Sequence, residues 1–509
     1  MQHTDMKKLG LTLLLMILFG SSYAQSVAYS EPDGGDFRQS DFEILGKLNN
    51  NILIFKNLRS SYAITVYDIN MKEKERVKLD FLPDKIINPD FIAYPDFLYM
   101  FYQYQKKNVV YAMAAKLDAN GKIVGEPITI DTTEISFLAS NKIYTAINSD
   151  NKQKIGLFKI NSKNDDAFLV TTLLFDNSLN KIEKDYLNVP MPDRHDYLTE
   201  FQLGNTGEIV FLRAIQETEN DQVEKMELLI KAMGQQEVKT FKINTGKINL
   251  DDVRLKVDNF NNSYIITSLY SKTKRGNIDG LFTAIWDKKS EALKATNVLE
   301  FDENLRNEAR GDNNSKSAFN DFFIKHFIVR KDGGFLLAAE SLFTSGRSGG
   351  FNRFDNMYGS PFLQPMDYYM LPYGYSYGSP WGRYNNMGQT IRYNAQNIMV
   401  LSLDSTGKLS WQDVISKNQY DDETDALISY SILNTGGQLH FIFNQPERRI
   451  QLLTSNTVSP TGEITRNPTL RNLSSGYEIM ARYGKQTGSR QIIFPCIYRN
   501  YLCFARLDF

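Results

Sequence analysis

The pattern G-x-S-x-G, which in hydrolases holds a nucleophilic serine on a strand-to-helix elbow, occurs twice in this 509-residue chain. The copies are Gly346-Arg347-Ser348-Gly349-Gly350 and Gly374-Tyr375-Ser376-Tyr377-Gly378. Both fall in one Gly/Ser/Tyr-rich stretch with no helical pattern after either, so local composition accounts for them. Three acidic pairs, Asp165-Asp166, Asp251-Asp252 and Asp421-Asp422, have the residue type a glycosidase uses as general acid and base. They read here as solvated loop carboxylates. Outside the N-terminal leader the histidines are His195, His326 and His440. No two have metal-ligand spacing, so no metal site is expected. His195 reads as a loop residue, His326 and His440 as strand positions. Asp118-Ala119-Asn120-Gly121 and Asp404-Ser405-Thr406-Gly407 begin like calcium loops but lack the full ligand series, so hairpin turns are expected. No cofactor motif is present.

The residues with positive binding content are aromatic. Tyr368, Tyr369, Tyr373, Tyr375, Tyr377, Trp381 and Tyr384 lie in the string MDYYMLPYGYSYGSPWGRYNNMG. Flat faces with a hydroxyl or N–H handle stack on sugars and are enriched in protein contacts. A low-complexity loop without a ligand has the same composition.

Cys496 and Cys503 are the only cysteines. They flank Arg499-Asn500 in IIFPCIY-RN-YLCFARL, and counting outward from a two-residue turn places them opposite each other on one sheet face. A disulfide and a pair of buried thiols both remain open. This register makes 496/503 a hydrogen-bonded pair, which suits a disulfide less well.

These residues must be positioned by a repeat. An apolar strand ending on a turn residue recurs at Asp68, Asp118, Asp176, Gly234, Asp287, Asp404, Ser459 and Asp508. All but one of the intervals lie near fifty residues, a period that fits propeller blades. Upstream Asn/Gly turns such as GNTGE at 204–208 and NTGG at 434–437 complete a unit of strand A, turn, strand B, loop, strand C, Asp turn, strand D. The expected fold is an all-β propeller of eight four-stranded antiparallel blades, with seven as the alternative. The last unit lacks strand D, so a strand from about Ser26 to Glu31 is expected to complete it and close the ring. The long interval places an insertion at Thr344–Ala395, between strands B and C of the sixth blade. By analogy with propellers generally, it overhangs the loop face.

Lys7-Lys8, the apolar run Leu9–Phe19 and Ser22-Tyr23-Ala24 read as a secretory signal over residues 1–24, with 25–509 as a single propeller domain. The run is too short to span a bilayer, which needs about 20 residues, and no later run is longer. No cysteine near the cleavage site marks a lipoprotein. A formal charge of −1 without a basic segment argues against nucleic acid. The expectation is an exported, soluble protein of the periplasm or exterior.

The blade pattern, the leader ending YAQ, the stretch Ile398–Gln419 and the ending IIFPCIYRNYLCFARLDF resemble uncharacterised exported β-propeller-like proteins of Gram-negative bacteria. The resemblance implies no activity and no site residues. The functional expectation is a binding platform that contacts a protein or polysaccharide through the loop face. The alternatives are a carbohydrate-active enzyme, hydrolase or lyase, with carboxylates at the channel mouth, and a structural component of an envelope complex.

Overall fold

The computed structural model describes residues 26–509 apart from 35–39, 59–60, 137, 140–141, 164–166, 192–195, 217–221, 312–318, 346–391, 423–424, 448–449 and 468–475. Its strands form eight four-stranded antiparallel units. Blade 1 is Ser40–Leu48, Asn51–Leu58, Ser61–Tyr67 and Glu73–Lys78; blade 2 is Ile87–Ala93, Phe97–Lys106, Val109–Asp118 and Ile128–Glu134. Blade 3 is Thr145–Asn148, Lys154–Lys163, Ala167–Asp176 and Lys181–Pro190. Blade 4, Tyr197–Leu203, Ile209–Gln216, Val223–Lys231 and Val238–Ile243, is joined through the single pair Val223–Leu250 to blade 5. Blade 5 comprises Asn249–Asp258, Ser263–Ser271, Gly280–Asp287 and Ala292–Glu300. Blade 6 is Phe322–Val329, Phe335–Ser345, Arg392–Leu403 and Leu409–Ile415; blade 7 is Tyr430–Asn434, Leu439–Glu447, Ile450–Val458 and Ile464–Arg466. Blade 8 has a broken strand A (Tyr477–Ile479 and Lys485–Gly488), then Gln491–Tyr498 and Tyr501–Asp508. Its fourth strand is Ser26–Tyr29, which pairs antiparallel with Tyr501–Asp508, Ser26 opposite Asp508 and Tyr29 opposite Ala505.

The Asp markers end strand C for a local reason. The carboxylate of Asp68, Asp118, Asp176 and Asp404 accepts from the backbone N–H groups two and four residues on, at 2.8–3.0 Å. The third residue of each turn, Met71, Gly121, Leu179 and Gly407, has positive φ. That combination turns the chain tightly without a Cβ clash where glycine is present. Ser459 does the same through its hydroxyl, which accepts from Glu463 at 3.1 Å.

Strands B and C lie between two faces of packing, so their apolar runs are continuous; Ser263–Ser271 is buried at every position. Outer strands such as Ala292–Glu300 alternate exposed and half-buried residues. An apolar cluster fills each blade-to-blade junction. Leu53, Ile64, Leu98 and Met100 join blades 1 and 2; Tyr99, Phe101, Ile155 and Leu157 join 2 and 3; Phe158, Phe201 and Phe211 stack between 3 and 4. The series runs on to Ile44, Ile54, Ile493 and Phe504, which pack blade 1 against blade 8. Burying a side chain of this size contributes about 1.5–3 kcal/mol. These junctions hold the sheets together where hydrogen bonds do not.

The one helix among the described residues, α1 (Glu303–Arg310), lies in the connection from blade 5 to blade 6. Asp302 caps it through Leu305 N–H at 2.8 Å, and Leu305 and Ala309 bury its inner face. In blade 6 the ladder between strands B and C continues to Ser345 opposite Arg392, where Gln419–Asp421 adds a fifth strand. The expected insertion therefore starts from a paired stem, and 346–391 is the part beyond it.

Candidate functional site

Strand A of each blade pairs with strand B along one edge, and apart from the single pair Val223–Leu250 no strand among the described residues pairs its other edge. Buried N–H groups there need other acceptors. Carboxylates from the preceding blade supply them. Asp90 accepts from Ala146 N–H at 3.0 Å, Glu200 accepts from Leu255 N–H at 2.9 Å, and Asp252 accepts from Ile324 N–H. All three sit at or beside a register shift in strand A, between Ile87 and Asp90, Thr199 and Gln202, and Asp251 and Arg254. Glu200 and Asp252 each have φ of 58°. The bulges turn these side chains out of the ladder and toward the next blade.

Arginine and lysine complete the arrangement. Arg254 contacts Glu200 at 3.3 Å and Asp252 at 2.6 Å, and also donates to Ile324 O at 3.4 Å. Lys142 pairs with Asp90. Glu340 and Lys417, both fully buried, form an ion pair at 2.7 Å. Lys417 also donates to Ala395 O and Gln419, and Ser429 donates to Glu340. Arg482, in the break of blade 8 strand A, pairs with Asp425 at 2.6 Å. Lys325, the bulged residue of blade 6 strand A, lies within electrostatic reach of Arg482, Glu340, Arg254 and Asp252. Burial first, then the cation Arg482, pulls its ammonium down to about 7.

Glu43 differs from Asp90, Glu200 and Asp252. It accepts no hydrogen bond among the described residues, and its nearest cation is Lys485 of blade 8 at 4.0 Å. Burial, reinforced by Asp90, pushes its carboxyl up to about 7 against the opposing pull of Lys485 and Lys142. A quarter of its side chain still meets solvent, because it lines a cleft and not a closed interior. That cleft is bounded by Asp41, Phe42, Glu43, Phe55, Asn57, Tyr62, Ile86, Asn88 and Pro89, and measures about 50 Å³. Asn57 donates to Asp41 at 3.3 Å, and the Phe55 and Tyr62 rings are parallel at 6.2 Å. A cleft of this size has room for a few waters, or for one polar group of a larger ligand. It offers acceptors and amides above an aromatic floor.

The residues singled out in the sequence are distributed as follows. Tyr368, Tyr369, Tyr373, Tyr375, Tyr377, Trp381 and Tyr384, both G-x-S-x-G copies, His195 and Asp165-Asp166 lie outside the described residues. His326 and His440 are strand residues. His326 packs on Tyr430 at 5.1 Å, and burial lowers its pKa to about 4; His440 contacts Thr457 at 3.0 Å. Asp251-Asp252 departs from expectation, for both are buried in strand A and not solvated in a loop. Asp422 is exposed and paired with Arg392. No group of three His, Cys, Asp or Glu placed to hold a metal occurs among the described residues. No helix among the described residues is long and apolar enough to cross a membrane.

No protein-family model and no curated protein matches the chain. Solved structures give likeness at low identity. A prolyl endopeptidase matches at 9% identity over 91% of this chain and 55% of its own, with TM-score 0.38. Prolyl oligopeptidase B from Galerina marginata matches at 9% identity over 91% and 56%, with TM-score 0.41. An ulvan lyase, described as a new polysaccharide lyase family, matches at 11% identity over 82% and 90%, with TM-score 0.35. The chain thus spans about half the length of the prolyl peptidases it resembles. All three TM-scores lie below 0.5, and the likenesses assign neither fold nor activity to this chain.

Proposed function

We propose that this chain is an exported binding propeller that contacts a protein or polysaccharide through the face carrying its B–C and D–A connections. One observation carries the reading. The carboxylates Asp90, Glu200 and Asp252 are committed to backbone N–H groups of the next blade, whereas Glu43 faces an open cleft. Asn57 and Tyr62 flank the B–C turn of blade 1, Ile86 ends the connection into blade 2, and Asn88 and Pro89 open strand A of blade 2. The stem Ser345/Arg392 leaves blade 6 at its B–C connection. Asn57 and Tyr62 of the cleft and the stem Ser345/Arg392 thus lie at the B–C ends of their blades. The insertion supplies area, and the cleft seats one polar group.

The test is affinity capture from envelope extract and polysaccharide fractions, using mature protein, a deletion of 345–394, and Glu43→Gln. Capture by the intact chain and loss in the deletion support the reading. A partner held equally by all three removes the site from both the cleft and the insertion.

A second reading, a carbohydrate-active enzyme, draws on Glu43 itself. A carboxyl held near 7 is in the range of a proton donor to a glycosidic oxygen. New reducing ends or unsaturated products from a polysaccharide panel, abolished in Glu43→Gln, would favour it over simple binding.

A further inference from the structure

The last hairpin brings two nucleophilic side chains together for which binding has no use. Arg499 and Asn500 have φ of 49° and 68°, the paired left-handed conformation of a two-residue turn that fixes hairpin register. Cys496 then falls directly opposite Cys503. Their sulfur atoms are 2.8 Å apart, and Cys503 Sγ is 3.2 Å from Cys496 O. Both side chains are completely buried among Ile479, Phe494, Ala505 and Leu507. An approach of under about 1 Å reaches the S–S bond length of about 2.05 Å.

We propose that Cys496 and Cys503 are a thiol–disulfide site, oxidised by an external disulfide to a bond across the last blade and restored by a dithiol. One cysteine thiolate attacks a sulfur of the external disulfide, forming a mixed disulfide and releasing one external thiol. The second cysteine thiolate attacks the first cysteine's sulfur, forms the Cys496–Cys503 bond and releases the second external thiol. Two electrons pass to the external disulfide, and the two cysteine protons leave with its thiols.

The folded blade restricts this exchange. Burial, then the contact with Cys503, raises the Cys496 pKa, so thiolate is scarce once the sheet is packed. Ser26–Tyr29 covers the outer edge of the strand that carries Cys503. Oxidation therefore belongs to the stage before that strand docks, and the reducible bond afterwards lies out of reach of bulky thiols.

The test uses the full mature chain, unfolded and refolded with a mixture of oxidised and reduced glutathione. Samples are alkylated under denaturing conditions without reductant, then weighed intact. The expected product is a monomer lighter by two hydrogens with both alkylations lost; dithiothreitol treatment beforehand restores both. Peptide mapping must place the link between Cys496 and Cys503, and Cys496→Ser must abolish the mass loss. Two alkylated thiols, glutathione on either cysteine, or a link between two chains would each overturn the proposal. The readout is a mass, so it does not depend on yield of refolding.

Discussion

Ser30 and Phe504, 474 positions apart, exchange two hydrogen bonds. Ser30 N–H donates to Phe504 O at 2.8 Å, and Phe504 N–H donates to Ser30 Oγ at 3.0 Å. Three residues on, Asp33 N–H donates to Leu502 O at 2.8 Å, while its carboxylate meets Lys56 at 2.7 Å and Arg76 at 2.8 Å. The segment is bonded to the last blade through its backbone and to the first blade through a carboxylate.

That division predicts unequal costs. Asp33→Ala leaves the Lys56 ammonium buried beside Tyr67 O–H at 2.7 Å and the Phe504 ring at 5.2 Å, and breaking a buried pair costs about 3–5 kcal/mol. Ser30→Ala removes the hydroxyl's two hydrogen bonds, from Phe504 N–H and to Glu31 O, neutral bonds worth about 1 kcal/mol each. Urea midpoints of the two variants should differ accordingly. Equal midpoints would show that Asp33 does not join the blades.

Glu43 predicts an inverted pH dependence. A carboxyl raised from 4.5 to about 7 by burial binds its proton in the folded state where the unfolded chain has released it. Its contribution is complete below 4.5 and is lost as pH rises through about 7, the opposite of an ordinary paired carboxylate. Asp41 lines the same cleft, and Lys485, Asp90 and Lys142 are the charged groups that act on it. Glu43→Gln should match the parent at pH 4 and exceed it at pH 8 by up to about 3 kcal/mol. Denaturation curves at the two pH values that shift in parallel would refute this.

Two glycines separate backbone strain from packing. Gly121 and Gly234 have φ of 74° and 76°. A Cβ at Gly234 meets nothing within 4 Å, whereas one at Gly121 lies 2.8 Å from Ile64 of the neighbouring blade. Gly234→Ala should cost about 1–2 kcal/mol for the left-handed conformation, and Gly121→Ala a further 1–3 kcal/mol for overpacking. Thermal melts of the pair check the difference.

The Glu340–Lys417 pair predicts a sign reversal. Glu340→Gln leaves a buried ammonium without its counter-charge and should cost about 3–5 kcal/mol, while Glu340→Leu with Lys417→Met should be far closer to neutral. A double-mutant cycle by denaturant titration reads this directly. Additive single-variant costs would show that the two charges are not coupled.

The hairpin turns were legible in the sequence because their bonds are local. Asp118 holds Asn120 and Lys122, only two and four positions away, so residue type at fixed offset is enough. The opposition of Cys496 and Cys503 followed from counting out of a two-residue turn, and the eighth unit ending at Asp508 from the recurrence of the strand-and-turn markers. Asp251-Asp252 misled for the opposite reason. The bond that buries Asp252 goes to Ile324, 72 positions on, and Glu200 finds Leu255 at a separation of 55. Glu43 gave no signal, because nothing near it in sequence supplies Asp41's amide partner Asn57, the Asn88–Pro89 wall, or Lys485 of the last blade.

By itself the sequence determined the repeat, the four strands of each unit and the turns between them, since hydrophobic periodicity and turn chemistry act over a few residues. Tertiary structure alone decided which carboxylates bond a neighbouring blade and which one faces a cleft. A charge takes its hydrogen bonds and its desolvation from whatever surrounds it in space, and for these carboxylates the surroundings come from different blades.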